Sequence, residues 1–109
     1  MKKKKLADRA AELIASLTDD ELATIKVDEI AFRLRVNPSY LSRKFKRDKV
    51  MSLNDFITGV KMNRSANLLE GPEKITMYTM AKKTGFARAD YFVILFKRFF
   101  GIHPKKYNQ

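Results

Sequence analysis

The chain has 109 residues, which is the size of one domain or of two very small domains that share a core. It carries 23 Lys and Arg against 12 Asp and Glu, a formal net charge of +11, while 45% of its residues are hydrophobic. The length excludes a long multidomain enzyme, and the composition is typical of a folded, basic protein and not of a disordered chain.

Several kinds of chemistry are excluded because the residues that perform them are missing. Cys is absent, so disulfides, zinc fingers, thiol catalysis and iron–sulfur clusters have no ligands or nucleophiles. His103 is the single histidine, which leaves a Ser/His/Asp triad only one base and a multi-histidine metal site no ligand set. We therefore expect no enzyme, no metal and no cofactor, and we expect His103, before Pro104 at a helix start, to cap or to lie at the surface.

The N-terminal lysine run, Lys2–Lys5, is followed by Asp8, Arg9 and Glu12 and not by the apolar segment of a signal peptide. No run approaches the roughly 20 apolar residues that a membrane span needs. We expect no membrane partner and a cytoplasmic location. The lysine run is interpreted as a frayed terminus, with a weak phosphate-binding arm as the alternative.

The first half of the chain predicts three helices and leaves one short segment open. A first amphipathic helix is indicated by the spacing of Leu6, Ala10, Leu13, Ile14 and Leu17. The acidic residues 19–21, which follow Thr18, mark either a break or the first turn of a short extension. Residues 27, 30, 31 and 34 then have the spacing of a short helix that ends near Arg35, and Asn37-Pro38 is typical of the N-cap and first residue of the next helix.

This next helix is predicted to bury Leu41 and Phe45 and to leave Tyr40 half-buried. Its open side is polar and strongly basic, with Ser39, Ser42, Arg43, Lys46 and Arg47. Two short helices joined by a tight turn, the second basic on its free face, are the helix-turn-helix arrangement in which the second helix enters a DNA major groove.

A long helix is predicted after this unit. Ser52 and Asp55 approximate a capping box, and Gly71-Pro72 is a stop signal, so the helix spans roughly 26 Å at about 1.5 Å per residue. Gly59 lies in its middle, where it costs about 1 kcal/mol relative to Ala. It either permits a close contact or is simply tolerated.

The second half repeats the first. Residues 27, 30, 31 and 34 match 77, 80, 81 and 84 at an offset of 50, and residues 40–41 and 45–47 match 91–92 and 96–98 at an offset of 51. Thr76 is the predicted N-cap, Gly85-Phe86 the turn, which is one residue longer, and Gly101 the helix end. The stripe Tyr91, Phe92, Phe96, Phe99 and Phe100 has helical spacing, so we expect it to be core and not a stacking platform for single strands.

The residues resemble the AraC/XylS family of bacterial transcription regulators, specifically its two-headed DNA-binding domain, over nearly the whole chain. The resemblance rests on residues 29–31, 38–43, 45–46, 51–53, Arg64, 68–69, Ala81, 85–86, 91–92, 96–101, Pro104 and Tyr107. It implies an all-α fold of about seven helices, with two helix-turn-helix subdomains, residues 1–51 and 71–109, joined by a rigid linker helix over residues 52–70.

The resemblance also implies sequence-specific binding of double-stranded DNA in adjacent major grooves, about 34 Å apart on one face, and regulation of transcription. RNA polymerase and a separate sensing or dimerisation domain are further partners that it suggests. By family position, the base-reading residues would be Ser39, Ser42 and Arg43 in the first unit and Ala89, Asp90, Tyr91, Val93 and Ile94 in the second. Phosphates would be met by Lys46, Arg47, Arg88, Lys97 and Arg98, and Arg43 would suit guanine O6 and N7.

The chain departs from the family pattern at several positions. Val93 and Ile94 stand where a small polar residue and an arginine are common, and Asp90 would repel phosphate, although it could accept a bond from a cytosine amine. We therefore expect the first unit to carry most direct base readout and the second to contribute phosphate contacts or thymine-methyl packing. Positions 35 and 50 are frequently Gly and position 59 frequently Arg in the family, so turn geometry and a linker ion pair are expected to differ.

A helical protein-interaction module, or one that binds an acidic surface such as lipid or RNA polymerase, is the alternative. It would use the apolar Val93-Ile94 patch on a partner and the lysines on the acidic surface. A surface of this kind would still bind its partner at high salt, where DNA is released.

Overall fold

The computed structural model describes residues 4–107, which form helices and no strand. The seven α-helices are α1 (Leu6–Ser16), α2 (Asp19–Thr24), α3 (Val27–Leu34), α4 (Pro38–Lys49), α5 (Leu53–Glu70), α6 (Met77–Lys83) and α7 (Ala89–Phe100), followed by a 3-10 turn over Pro104–Lys106. The all-α prediction is confirmed. Within the described part, no helix is long and apolar enough to cross a membrane. Of the lysine run, Lys2 and Lys3 lie outside the described residues, while Lys4 pairs with Glu12.

The acidic segment that the sequence left open is a separate helix, α2. Thr18 Oγ1 accepts a hydrogen bond from the Glu21 amide at 3.2 Å, and Glu21 Oε1 accepts one from the Thr18 amide at 2.9 Å. This reciprocal capping box satisfies two amides that a helix start would leave unpaired. The backbone bond from Thr18 also lowers the pKa of Glu21.

The internal repeat is visible in the backbone. Helices α4 and α7 both have 12 residues, and each ends at a left-handed residue, Val50 (φ 59°) and Gly101 (φ 77°), at the offset of 51. The turns also match at the offset of 50, because Arg35 and Gly85 have φ of 60° and 82°. Three residues separate α3 from α4, and five separate α6 from α7. One of the two extra residues is the insertion in the turn. The other arises because α6 ends one residue before the position that matches the end of α3.

The helix starts follow the predicted caps. Asn37 Oδ1 accepts from the amides of Ser39 and Tyr40, and Ser52 and Thr76 cap α5 and α6 in the same way. His103 Nδ1 accepts from the Lys105 amide at 3.1 Å, so the predicted capping role is confirmed.

Two hydrophobic cores lie at the two ends of α5. The first is formed by Ala7, Ala10, Ile14, Leu17, Leu22, Ile25, Ile30, Ala31, Leu41, Phe45, Leu53 and Ile57. The second is formed by Met62, Ala66, Leu69, Met80, Ala81, Phe92, Leu95 and Phe96. Helix α5 contributes to both, and its 18 residues span about 27 Å. The molecule measures 46 × 27 × 24 Å.

The prediction that the whole aromatic stripe is core is wrong for two residues. Phe92 and Phe96 are fully buried, but Tyr91 is 51% and Phe99 46% exposed. They lie at the edge of the buried stripe of α7, where the neighbouring segments cover only part of each ring. Phe99 instead contacts Gly59 of α5, where an added Cβ would lie 3.5 Å from the Phe99 ring, so glycine is tolerated there and not required.

Helix α2 joins the first core to the second unit. The Arg64 guanidinium of α5 donates to Asp19 Oδ1 and to the Ala15 carbonyl, both at 3.0 Å. Gly85, in the second turn, packs so closely on α2 that an added Cβ would lie 1.9 Å from the Ala23 carbonyl oxygen. Lys61 lies 5.3 Å from the Phe86 ring centroid, and burial lowers the pKa of its ammonium. These contacts fix the second unit against the first.

Candidate nucleic-acid interface

Helix α4 presents a polar, basic face to solvent. Leu41 and Phe45, one helical turn apart, are fully buried and seat the helix on the first core. The five side chains predicted for the open side, Ser39, Ser42, Arg43, Lys46 and Arg47, are all exposed. Tyr40 is 43% exposed, close to the predicted half-buried state, with the Lys44 ammonium 6.0 Å from its ring centroid.

The donors of this face are available for a ligand. The side chains of Ser42, Arg43 and Lys46 make no hydrogen bond or ion pair within residues 4–107, and Arg47 makes only a long contact of 3.4 Å to Asp48. Lys49, at the end of the helix, instead pairs with Asp8 of α1, and this lowers the pKa of the Asp8 carboxyl. Most of the positive charge on this face is therefore unpaired within residues 4–107, while Leu41 and Phe45 hold the opposite face of α4 in the first core.

Helix α7 presents the equivalent face of the second unit with different chemistry. At the offset of 51, Lys97 and Arg98 replace Lys46 and Arg47, and both are exposed. The N-terminal half differs: Asp90, Val93 and Ile94 occupy the positions of Ser39, Ser42 and Arg43. Ile94 is 54% exposed, while Ala89 and Val93 are half-buried. The two faces thus share basic C-terminal halves and differ in their N-terminal halves, where α4 has Ser39, Ser42 and Arg43 and α7 has Asp90, Val93 and Ile94.

The start of α7 is organised by an ion pair that the sequence did not predict. Arg88 Nε donates to Asp90 Oδ1 at 3.0 Å, and Arg88 Nη2 donates to Asp90 Oδ2 at 2.8 Å. The Tyr91 amide donates to Oδ1 at 2.8 Å. The Arg88 guanidinium, and after it the Tyr91 amide, lowers the pKa of the Asp90 carboxyl. Arg88, predicted to meet phosphate, faces Asp90 here, and the acidic charge predicted to repel phosphate is paired.

Sequence reasoning did not single out a cation and an aromatic ring on α6. Tyr78 is 62% exposed, and the Lys82 ammonium lies 4.9 Å from its ring centroid. The Tyr78 hydroxyl raises the pKa of Lys82. The i, i+4 spacing of the two residues was the signal that could have found the pair. Elsewhere in residues 4–107, no group of three acidic or histidine side chains is placed to hold a metal ion.

Comparisons with known proteins agree with this architecture. A family model described as a helix-turn-helix domain matches residues 30–109. The Msm operon regulatory protein of Streptococcus mutans is 32% identical over 87 residues, which are 80% of this chain and 31% of that protein. The chain spans about a third or less of the curated relatives that it matches first.

Solved structures share the fold. The C-terminal domain of AraT, a response regulator from Geobacillus stearothermophilus, superposes with a TM-score of 0.80 at 25% identity, covering 99% of this chain and 87% of that one. The DNA-binding domain of AdpA, a global transcriptional factor solved in complex with a target DNA, has a TM-score of 0.73 at 15% identity, covering 96% and 91% of the two chains. With its duplicated helix-turn-helix units and this family match, the chain belongs to the AraC/XylS family of DNA-binding transcriptional regulators.

Proposed function

We propose that this domain binds double-stranded DNA sequence-specifically through two tandem helix-turn-helix units in adjacent major grooves, and that it regulates transcription. The observation that carries the proposal is the open face of α4, opposite the buried Leu41 and Phe45, where Ser42, Arg43 and Lys46 are exposed and have no side-chain partner among residues 4–107. In a helix-turn-helix unit the second helix lies in the major groove, and its N-terminal residues contact base edges. The fold shared with the AdpA domain, which was solved on its target DNA, supports this placement.

The proposal gives each predicted residue a role according to its place along the helix. Base edges are read in the first unit by Ser39, Ser42 and Arg43, and in the second by Ala89, Asp90, Tyr91 and Val93. Phosphates are bound by Lys46, Arg47, Lys97 and Arg98, with Arg88 near the backbone at the start of α7. Arg43 fits the O6 and N7 acceptors of guanine because its planar fork can donate two parallel bonds, and phosphate contacts give affinity without sequence choice.

The dimensions suit two grooves. The subdomains are residues 1–51 and 71–109, and the linker over residues 52–70 contains α5, about 27 Å long. The longest dimension of the molecule is 46 Å, which is enough to reach two major grooves about 34 Å apart on one DNA face. The contacts of α2 with Arg64 and Gly85 support a fixed spacing between the two units.

Fluorescence anisotropy with a labelled duplex, selected from random DNA, tests the proposal across a salt series. If four basic side chains neutralise phosphates, log K should fall with log salt with a slope of about −3.6. Lys97→Ala should weaken all sequences alike and reduce the slope by about 1, whereas Lys74→Ala, which removes a charge from the connection between α5 and α6, should not. Arg43→Ala should cost about 1 to 3 kcal/mol and relax selection at one base pair.

Two results would contradict the proposal. Binding that does not respond to ionic strength would exclude phosphate contacts as its basis. Identical sequence preferences for the parent and Arg43→Ala would exclude Arg43 as a base reader.

The wider function is part of the same proposal. Because the chain spans about a third of its first curated relative, we assign sensing or dimerisation to a separate domain of the kind that family members carry. RNA polymerase is the proposed protein partner of a DNA-bound regulator. The role is non-catalytic, without a cofactor, and its place is the cytoplasm, where bacterial DNA lies.

A second candidate, a protein-interaction surface, is favoured by one observation. Helix α7 exposes 51% of Tyr91, 54% of Ile94 and 46% of Phe99, an apolar group that α4 lacks. Light scattering at high salt, where DNA is released, separates the two candidates. Self-association that persists there and is lost in Ile94→Ser would favour this candidate over DNA binding by the second unit.

A further inference from the structure

We propose that the second unit reads a cytosine next to a thymine: Asp90, held by Arg88, accepts a hydrogen bond from the cytosine exocyclic amine, and Ile94 covers the thymine methyl group. This inference rests on the proposed DNA binding and assigns the bases that α7 selects. Asp90 and Ile94 are four residues apart, about 6 Å along the helix, which corresponds to within two base pairs of DNA.

The repeat places Asp90 and Ile94 at reading positions. They match Ser39 and Arg43 of α4 at the offset of 51, and both lie in the N-terminal half of a 12-residue helix. Asp90 and Ile94 are exposed, as are their counterparts in α4. If α4 reads bases with its N-terminal half, the same half of α7 faces the bases of the second groove.

The hydrogen bonds of Asp90 leave room for one further donor. An ionised carboxylate has about four lone-pair sites, two on each oxygen. Oδ1 accepts from Arg88 Nε and from the Tyr91 amide, while the one donor to Oδ2 among residues 4–107 is Arg88 Nη2. One site on Oδ2 is therefore open, on a side chain whose orientation is fixed from two directions.

The open site discriminates between bases because it can only accept. Guanine presents two acceptors in the major groove and thymine presents an acceptor and a methyl group, so both would be repelled by the carboxylate. Cytosine presents its N4 donor, and adenine presents a donor beside the N7 acceptor. Cytosine is the best partner for a single acceptor at this position.

The ion pair with Arg88 reduces the repulsion between the Asp90 carboxylate and the DNA phosphates. An unpaired carboxylate in the groove would be repelled by the phosphates on both sides, and the bidentate guanidinium cancels its charge. Arg88 is thus a positioning residue, which acts on base choice through Asp90. Its i, i+2 placement allows the pair because Arg88 is the extended N-cap residue and Asp90 is already helical.

Ile94 supplies the apolar part of the readout. It is 54% exposed at the position that carries Arg43 in α4, so this unit offers a hydrocarbon surface where the first offers a guanidinium. The thymine C5-methyl is the apolar group of the major groove. Burying one methyl group against Ile94 should favour thymine over its analogue without the methyl, uracil, by about fourfold.

The test selects bound duplexes from a library in which the first half-site is fixed and the second is random. The parent should select cytosine at one position, by about fivefold or more over guanine or thymine, with thymine within two base pairs. Asp90→Asn should change that cytosine to adenine, since an amide pairs with both adenine N6 and N7. Replacing the thymine by deoxyuridine should weaken the parent about fourfold and leave Ile94→Ala unchanged.

Matched variants show whether Arg88 acts through Asp90. The Arg88→Met substitution should weaken DNA binding by the parent. It should weaken binding clearly less in the Asp90→Asn background, because the carboxylate charge that Arg88 cancels is then absent. Ser39→Ala, at the equivalent position of α4, should change selection in the first half-site and leave the cytosine preference of the second intact.

Failure of this inference differs from failure of the proposed function. A second half-site that is random for the parent, or unchanged in Asp90→Asn, would overturn the cytosine assignment while salt-dependent binding through α4 remains. Equal affinity for thymine and deoxyuridine would overturn the role of Ile94. Absence of any sequence-dependent binding by the full chain would overturn both proposals.

Discussion

The close packing of the second turn on α2 gives a quantitative prediction. Gly85 and Gly101 both have left-handed backbones, with φ of 82° and 77°, so replacing either by Ala costs about 1 kcal/mol in backbone conformation. Their surroundings differ. A Cβ at Gly101 would meet no atom within 4 Å from the described part of the chain beyond its own neighbours in sequence, whereas at Gly85 it would lie 1.9 Å from the Ala23 carbonyl oxygen.

The carbon and oxygen atoms at Gly85 would have to separate by more than 1 Å, and neither belongs to a flexible side chain. Overpacking of this kind costs about 1 to 3 kcal/mol. We therefore expect Gly85→Ala to lower the free energy of unfolding by about 2 to 4 kcal/mol and Gly101→Ala by about 1 kcal/mol. Urea denaturation followed by circular dichroism measures both values. Equal losses for the two variants would refute the close approach of the second turn to α2.

Three further predictions concern stability. Val50→Gly should raise the free energy of unfolding by about 0.5 to 1 kcal/mol in urea denaturation, because Val50 has a φ of 59°, unfavourable for a β-branched residue, and buries little of its side chain at 86% exposure. Gly59→Ala should gain about 1 kcal/mol, seen as a higher Tm, since the new Cβ makes an ordinary 3.5 Å contact with Phe99; a lower Tm would contradict this. Lys49 lowers the pKa of Asp8 below its ordinary value of 3.8, so the stabilisation by this pair is present above pH 3.8 and is lost as the pH falls through the lowered value. As the pH is lowered, the difference in the free energy of unfolding between the parent and Asp8→Asn should shrink. A constant difference at all pH values would argue against the pair.

Sequence reasoning was most successful where one residue determines local structure. Asn37, Ser52 and Thr76 cap helices as predicted, because a short polar side chain satisfies amides only two or three residues away. The repeat was readable because each unit must bury the same face of its second helix. The capping box of α2 is also present in the sequence, where Thr18 is followed three residues later by Glu21, and this spacing indicates that residues 19–24 begin a helix of their own.

Features that depend on contacts between distant segments could not be predicted. Helical spacing placed Tyr91 and Phe99 in the core, but it cannot say how far the neighbouring helices extend over α7. The packing of Gly85 on Ala23 joins residues 62 positions apart, and no spacing pattern in the sequence predicts this contact. The Arg88–Asp90 pair depends on the extended backbone of the N-cap, so the pairing of the charge that was expected to repel phosphate was visible only in the structure.

The spacing of two half-sites tests the two-groove account most directly. A duplex with half-sites 10 base pairs apart, centre to centre, should bind most tightly, because the units then face adjacent grooves about 34 Å apart, within the 46 Å length of the molecule. Inserting five base pairs rotates the second groove to the opposite face, and affinity should fall to that of a duplex with the first half-site alone. Equal affinity for both spacings would contradict the account.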